Sequence, residues 1–148
     1  MERIERSAVV PASREATFAL VADVASYPEF VPLCRAAEVR PLGEGMVEAS
    51  LRMVRGPIRF WLTTRNREVA PSRIEMHLVK GPFGRLNGRW SFEDAAGGGT
   101  RVSLNLEFEG ANRLLGRLAA PFLDELADSM VTAFTRRAER LIRPPRSG

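Results

Sequence analysis

The chain has 148 residues, 45% of them hydrophobic and 27% charged, which suits one domain with a real core and leaves little room for a second. No run approaches the ~20 apolar residues of a membrane span, and no apolar signal region follows Met1, so the expected location is the cytoplasm. Its single cysteine, Cys34, excludes an internal disulfide, and its +4 charge rests on 21 Arg and one Lys, Lys80.

Ile4 to Val10 reads as a first strand, stopped by Pro11. Ser13 is placed to cap a short helix, with Glu15 in its first turn and Phe18, Val21 and Val24 on its buried side. Tyr27-Pro28-Glu29-Phe30-Val31-Pro32 cannot continue that helix, because its two prolines force a turn or a distorted segment. From about Arg35 to Glu109 the pattern alternates, as half-buried strands do. Val47, Ala49, Leu51 and Met53 share one face. Ile58, Phe60 and Leu62 follow, then Ile74, Met76 and Leu78, then Leu86, Trp90 and Phe92, then Val102, Leu104, Leu106 and Phe108. The alternate positions carry Arg and Glu, which predicts an antiparallel meander with one wet face. Leu114 to Ile142 switches to helical spacing, with Leu114, Leu118, Phe122, Leu126, Met130, Phe134 and Leu141 in a stripe, and Pro121 predicts a kink or an interruption. The expectation is an α+β domain over residues 1–142, a sheet of six or seven strands gripping one long helix, and a flexible tail over residues 143–148.

A curved sheet wrapped around one helix leaves space unless side chains fill it. A void of ~300 Å³ would cost about 7 kcal/mol, comparable to the whole stability of a domain. Such a void persists only if a ligand offsets that cost or the rest of the fold is over-stable. The residues expected to line it are Tyr27, Phe30, Met53, Phe60, Leu62, Met76, Leu78, Phe83, Trp90, Phe92, Leu104, Phe122, Leu126 and Met130. Taken by itself, such an aromatic and Met-rich face is more often a filled core than a pocket.

Three blocks carry a family resemblance. Asp23-Val24-Ala25-Ser26-Tyr27-Pro28-Glu29-Phe30-Val31-Pro32 is the first. The second is the turn Gly81-Pro82-Phe83-Gly84 leading to Trp90, and the third is Phe134-Thr135-Arg136-Arg137-Ala138. In this order they resemble the START-like, helix-grip (SRPBCC) superfamily that includes polyketide cyclases and lipid-transfer domains. They match best the branch of coenzyme-Q-binding START proteins and bacterial ribosome-association-toxin relatives. The resemblance implies non-catalytic binding of an isoprenoid quinone or another lipid between sheet and helix, with no cofactor. One departure is Leu33, where the family often has an aromatic residue.

Two other readings stay open. Ribosome binding is motivated by the toxin relatives and by an Arg-rich wet face, with Arg59, Arg65 and Arg67 as the contacts to the large ribosomal subunit; the interspersed acids favour the plainer reading that a GC-rich genome or a hot habitat accounts for the Arg, and DNA is not an expected partner. A cyclase or aromatase activity is motivated by the fold alone. A transient membrane contact is compatible with the lipid reading. His77 alternates with Met76 and Leu78 and belongs on the wet face, no zinc constellation exists, and Cys34 has no His partner and reads as inert. Asp124 and Asp128 read as a solvated helix face.

Overall fold

The computed structural model of the protein describes residues 2–142. The tail expected at residues 143–148 lies outside the described residues. Strand β1 (Glu2–Val10) opens the chain and ends at Pro11. Helix α1 (Arg14–Ala22) follows, and the Ser13 hydroxyl accepts the Ala16 N–H at 3.1 Å, as an N-cap should. A 3₁₀ turn, Val24–Glu29, carries Pro28 in a tighter coil than an α-helix allows, in keeping with the proline spacing. Then come β2 (Cys34–Gly43), β3 (Met46–Arg55), β4 (Ile58–Val69), β5 (Arg73–Lys80), β6 (Phe83–Asp94) and β7 (Thr100–Gly110), and helix α2 (Arg113–Ile142) closes the order.

The seven strands form one antiparallel sheet in the order β1-β7-β6-β5-β4-β3-β2. Consecutive strands from β2 to β7 are neighbours, so each alternating apolar row lands on one concave side. Val10 closes the circuit by lying opposite Thr100, where the buried Thr100 hydroxyl donates to the Ala12 carbonyl at 2.7 Å. This is the α+β helix-grip arrangement that the sequence leads one to expect.

Helix α2 lies across the concave side, chiefly against β1 and β7, and buries Ala119, Phe122, Leu123, Leu126, Ala127, Met130, Ala133, Phe134 and Ala138. Two expectations about it are corrected. The helix runs without interruption through Pro121. Proline there forfeits one backbone bond, but Ala119, Phe122 and Leu123 on either side are packed into the sheet and hold the segment helical. Leu114 and Leu118, placed on the buried stripe by spacing, are 67% and 48% exposed, and Leu141 is exposed as well. Spacing fixes which side of a helix a residue is on; it does not reveal that both helix ends overhang the sheet.

Candidate functional site

The concave side holds the interior expected from the sequence, but most of it is filled. A cavity of about 60 Å³ remains between sheet and helix, lined by Leu51, Leu62, Thr64, Met76, Leu86, Gly88, Trp90, Leu104, Leu106, Leu123, Leu126 and Met130. Such a void costs about 1.5 kcal/mol at ~24 cal/mol per Å³, which a domain tolerates without a ligand. It is well below the ~150 Å³ at which an apolar cavity accepts benzene. The ligand-sized void of several hundred Å³ is therefore absent from this conformation.

Aromatic clusters close both ends. Near one end Phe60 meets Phe122 edge-on at 5.1 Å and Phe83 at 6.2 Å. Near the other, Phe134 takes Tyr27 at 5.3 Å, Phe30 at 5.5 Å and Trp90 at 5.3 Å, all edge-to-face. Tyr27 is fixed core: its hydroxyl donates to the Val21 carbonyl, and burial pushes its ionisation upward.

Of the residues named from sequence, Leu62, Met76, Trp90, Leu104, Leu126 and Met130 line the cavity. Phe60, Phe83, Phe122, Tyr27 and Phe30 belong to the end clusters. Met53 is fully buried, Phe92 packs on Phe18 at 5.3 Å, and Leu78 sits half-buried against the core; none of the three reaches the cavity. Leu106, expected on the same inward face, lines the cavity as well, whereas sequence reasoning missed Leu51, Thr64, Leu86, Gly88 and Leu123 as liners. Strand parity could have found four of these five, since each alternates in step with a residue that was named. Gly88 matters most: a Cβ there would stand 2.6 Å from Met76 Cε and 2.9 Å from Leu106 Cδ2.

The interior also has a polar side. Thr64, Asn66 and Glu68 follow one another on the inward face of β4, and the Thr64 hydroxyl donates to Asn66 Oδ1 at 2.7 Å. Asn66 and Glu68 border a second void of about 10 Å³, which shares Met76 and Trp90 with the larger cavity. Desolvation pushes the Glu68 carboxyl above its usual range. Cys34 is buried, and its thiol is pushed up to about 11 by the same cause.

The convex side is charged and uneven. Strand alternation turns Arg40, Arg52, Arg59, Arg65, Arg67, Arg73 and Lys80 outward on β2–β5, against Glu38, Glu48 and Glu75. On β6, β7 and β1 the outward set is Arg3, Arg85, Arg89 and Arg101, against Glu5, Glu93, Glu107 and Glu109. The first half thus carries four more positive than negative charges and the second half is balanced. Glu75 accepts Arg73 Nε at 3.0 Å, and with Arg89 and Arg67 also near, its carboxyl lies below its usual range. His77 is on this face, with Nδ1 2.9 Å from Asn87 Oδ1. Along α2 runs an open groove of about 700 Å³, where Arg137 Nη2 lies 3.6 Å from Glu29 and its guanidinium stacks 4.9 Å from the Phe30 ring centre.

Residues 10–135 match the family described as polyketide cyclase/dehydrase and lipid transport. The chain belongs to that family. Within it and its surroundings, the chain is 38% identical to the ribosome association toxin RatA of Pseudomonas aeruginosa, over 93% of this chain and 96% of that one. It is 30% identical to the mitochondrial coenzyme Q-binding protein COQ10 homolog B of Xenopus laevis, over 95% of this chain and 60% of that one. The crystal structure of the ZhuI aromatase/cyclase from Streptomyces superposes with a TM-score of 0.88 at 17% identity, covering 96% of both chains, which shows the shared family fold. Among the described residues of this family member, no helix is long and apolar enough to cross a membrane.

Proposed function

We propose that this chain is a non-catalytic ribosome-associating protein of the cytoplasm that meets ribosomal RNA with the β2–β5 half of its convex face. The observation that carries the reading is the charge imbalance: the excess positive charge of the sheet is concentrated there, and Arg59, Arg65 and Arg67 stand in one outward row on β4. The likeness to RatA, a protein named for ribosome association, runs over nearly the full length of both chains and supports it. Phosphate contacts release counterions, so binding should weaken steeply with salt. Sedimentation with purified large ribosomal subunits over a salt series measures this. Replacing Arg59, Arg65 and Arg67 with Gln should lower the log–log salt slope by about two to three. Binding that is flat in salt, or untouched by the triple substitution, overturns the reading.

A second reading, binding of a quinone or another apolar ligand, is favoured by the polar row Thr64, Asn66 and Glu68 facing the apolar interior, where it could hold a headgroup. It requires the interior to expand: displacing Met76 and Trp90, which border both voids, joins them. A short-tailed ubiquinone should then raise the melting temperature of the wild type and raise it less in Gly88→Ala, whose added Cβ takes up interior space. No shift in the wild type, together with no lipid in a solvent extract, removes this reading. For a cyclase the family description and the shared fold speak, but among the described residues the inward polar row offers one carboxyl, Glu68, and its hydrogen bond joins Thr64 to Asn66 rather than an acid to a base.

A further inference from the structure

The convex face exposes one large aromatic side chain, and its surroundings are not those of a core residue turned outward by accident. Trp61 is 42% exposed, while the other tryptophan, Trp90, is 1% exposed. Trp61 is the fourth residue of β4 and is paired with β3, so its position is set by that ladder. Directly across on β3 is Arg52; Arg59 precedes Trp61 by two residues on the same face. Thr63 follows by two, its hydroxyl 2.8 Å from that of Ser50, with Lys80 opposite it on β5. Among the described residues, Arg52, Arg59 and Lys80 make no ion pair, whereas Arg40 and Arg73 farther along the same face are held by Glu48 and Glu75. Cations in this corner are held by no ion pair among the described residues, and they surround a flat ring facing solvent.

From this juxtaposition we infer that Trp61 is a stacking platform for an unpaired base of single-stranded RNA, with Arg52, Arg59 and Lys80 holding the phosphates on either side. The inference rests on the ribosome-association reading for its biological setting, and it names the point of contact. Outward residues on a strand repeat every ~6.8 Å. The row Arg59, Trp61, Thr63, Arg65, Arg67 therefore offers a cation, a ring, a hydroxyl and two more cations at a step an extended nucleotide chain can follow. Stacking on an aromatic ring contributes ~1–3 kcal/mol per base and is tolerant of sequence, while the flanking cations add an electrostatic, salt-sensitive share. A base in a duplex offers no free face to the ring, so the site selects single strands.

The test uses the intact chain and a uridine decamer, with a duplex of equal length as the comparison. Because Trp90 is enclosed, quenching of the exposed tryptophan reports on Trp61 directly. The decamer should quench it and bind at low salt, the duplex should bind at least several-fold more weakly, and Trp61→Ala should weaken decamer binding about tenfold or more. Trp61→Phe should restore most of the loss, and both variants should melt within a few degrees of the wild type. Equal affinity in Trp61→Ala, no quenching, or equal affinity for the duplex overturns the inference. Sedimentation with ribosomal subunits separates it from its parent. If wild type and Trp61→Ala sediment equally while the decamer ignores Trp61, the platform falls and association stands. If the decamer stacks on Trp61 but the wild type never sediments with ribosomes, the platform stands and association falls.

Discussion

Glu68 shows how one side chain can make stability depend on pH. Its carboxyl sits on the inward face of β4 and is raised by desolvation, so the folded chain holds that proton to higher pH than the unfolded chain does. Its neutral form is the one the fold favours. The contribution of Glu68 to stability should therefore be greatest below the ordinary glutamate range and should fall as pH climbs from that range through the raised value. Glu68→Gln removes the ionisation: it should melt higher than the wild type at pH 7, with the difference closing towards pH 4. A difference constant with pH would mean that the carboxyl is not the cause. Glu75 on the convex face works in the opposite sense. Arg73 favours its charged form, so its contribution is present at neutral pH and is lost in acid. Neither behaviour was legible in the sequence, because Glu68 and Glu75 differ only in which side of a strand they face and what lies there. Strand parity does predict the facing. It could not predict that Asn66 and Glu68 would be tolerated on the apolar side, since that depends on Val47, Met76 and Trp90 arriving around them from other strands.

At the level of whole elements, α2 is fastened to the sheet by charge as well as by packing. Arg6 on edge strand β1 pairs with both Asp124 and Asp128 one helical turn apart, and Arg55 Nε reaches Glu125 Oε2 at 2.5 Å from the far side of the grip. The two aspartates are solvent-exposed, as their spacing predicts, and pair with β1 all the same. Their partner is 118 and 122 residues away in the chain, so no local pattern announces it. Arg6→Ala leaves two like charges at i, i+4 and removes two partly exposed ion pairs worth ~0.2–1 kcal/mol each. The expected loss is about 1 kcal/mol, a fall of roughly 2–4 °C in melting temperature for a chain of this size. The loss should shrink in high salt. A drop of the same size at all salt concentrations would assign the role of Arg6 to its aliphatic stem. The strands themselves were far easier to read. Alternation from Val47 to Phe108 gave their apolar inward rows correctly, because register in a half-buried sheet is set by the same alternation. Strand β2 was the weak point: only Cys34 among its residues is fully buried, so it carries little of the pattern that marks the others.

For the molecule as a whole, the sequence reached the architecture and the family but not the state of the interior. The thirty buried apolar side chains among the described residues can surround a large void or fill it, and the difference lies in rotamers and in the reach of rings such as Phe60, Phe122 and Phe134 across the helix–sheet gap. The convex face was legible residue by residue as a set of arginines, yet the imbalance between its halves emerges only once strand order places β2–β5 on one side and β6, β7 and β1 on the other. That imbalance acts at a distance. A body charged on one flank and neutral on the other experiences a torque in the field of any polyanion, and it turns its charged flank forward before the surfaces touch. Within roughly 8–10 Å of such a target at physiological salt, where screening has not yet erased the field, encounters would already be oriented with Trp61 and its neighbouring cations leading.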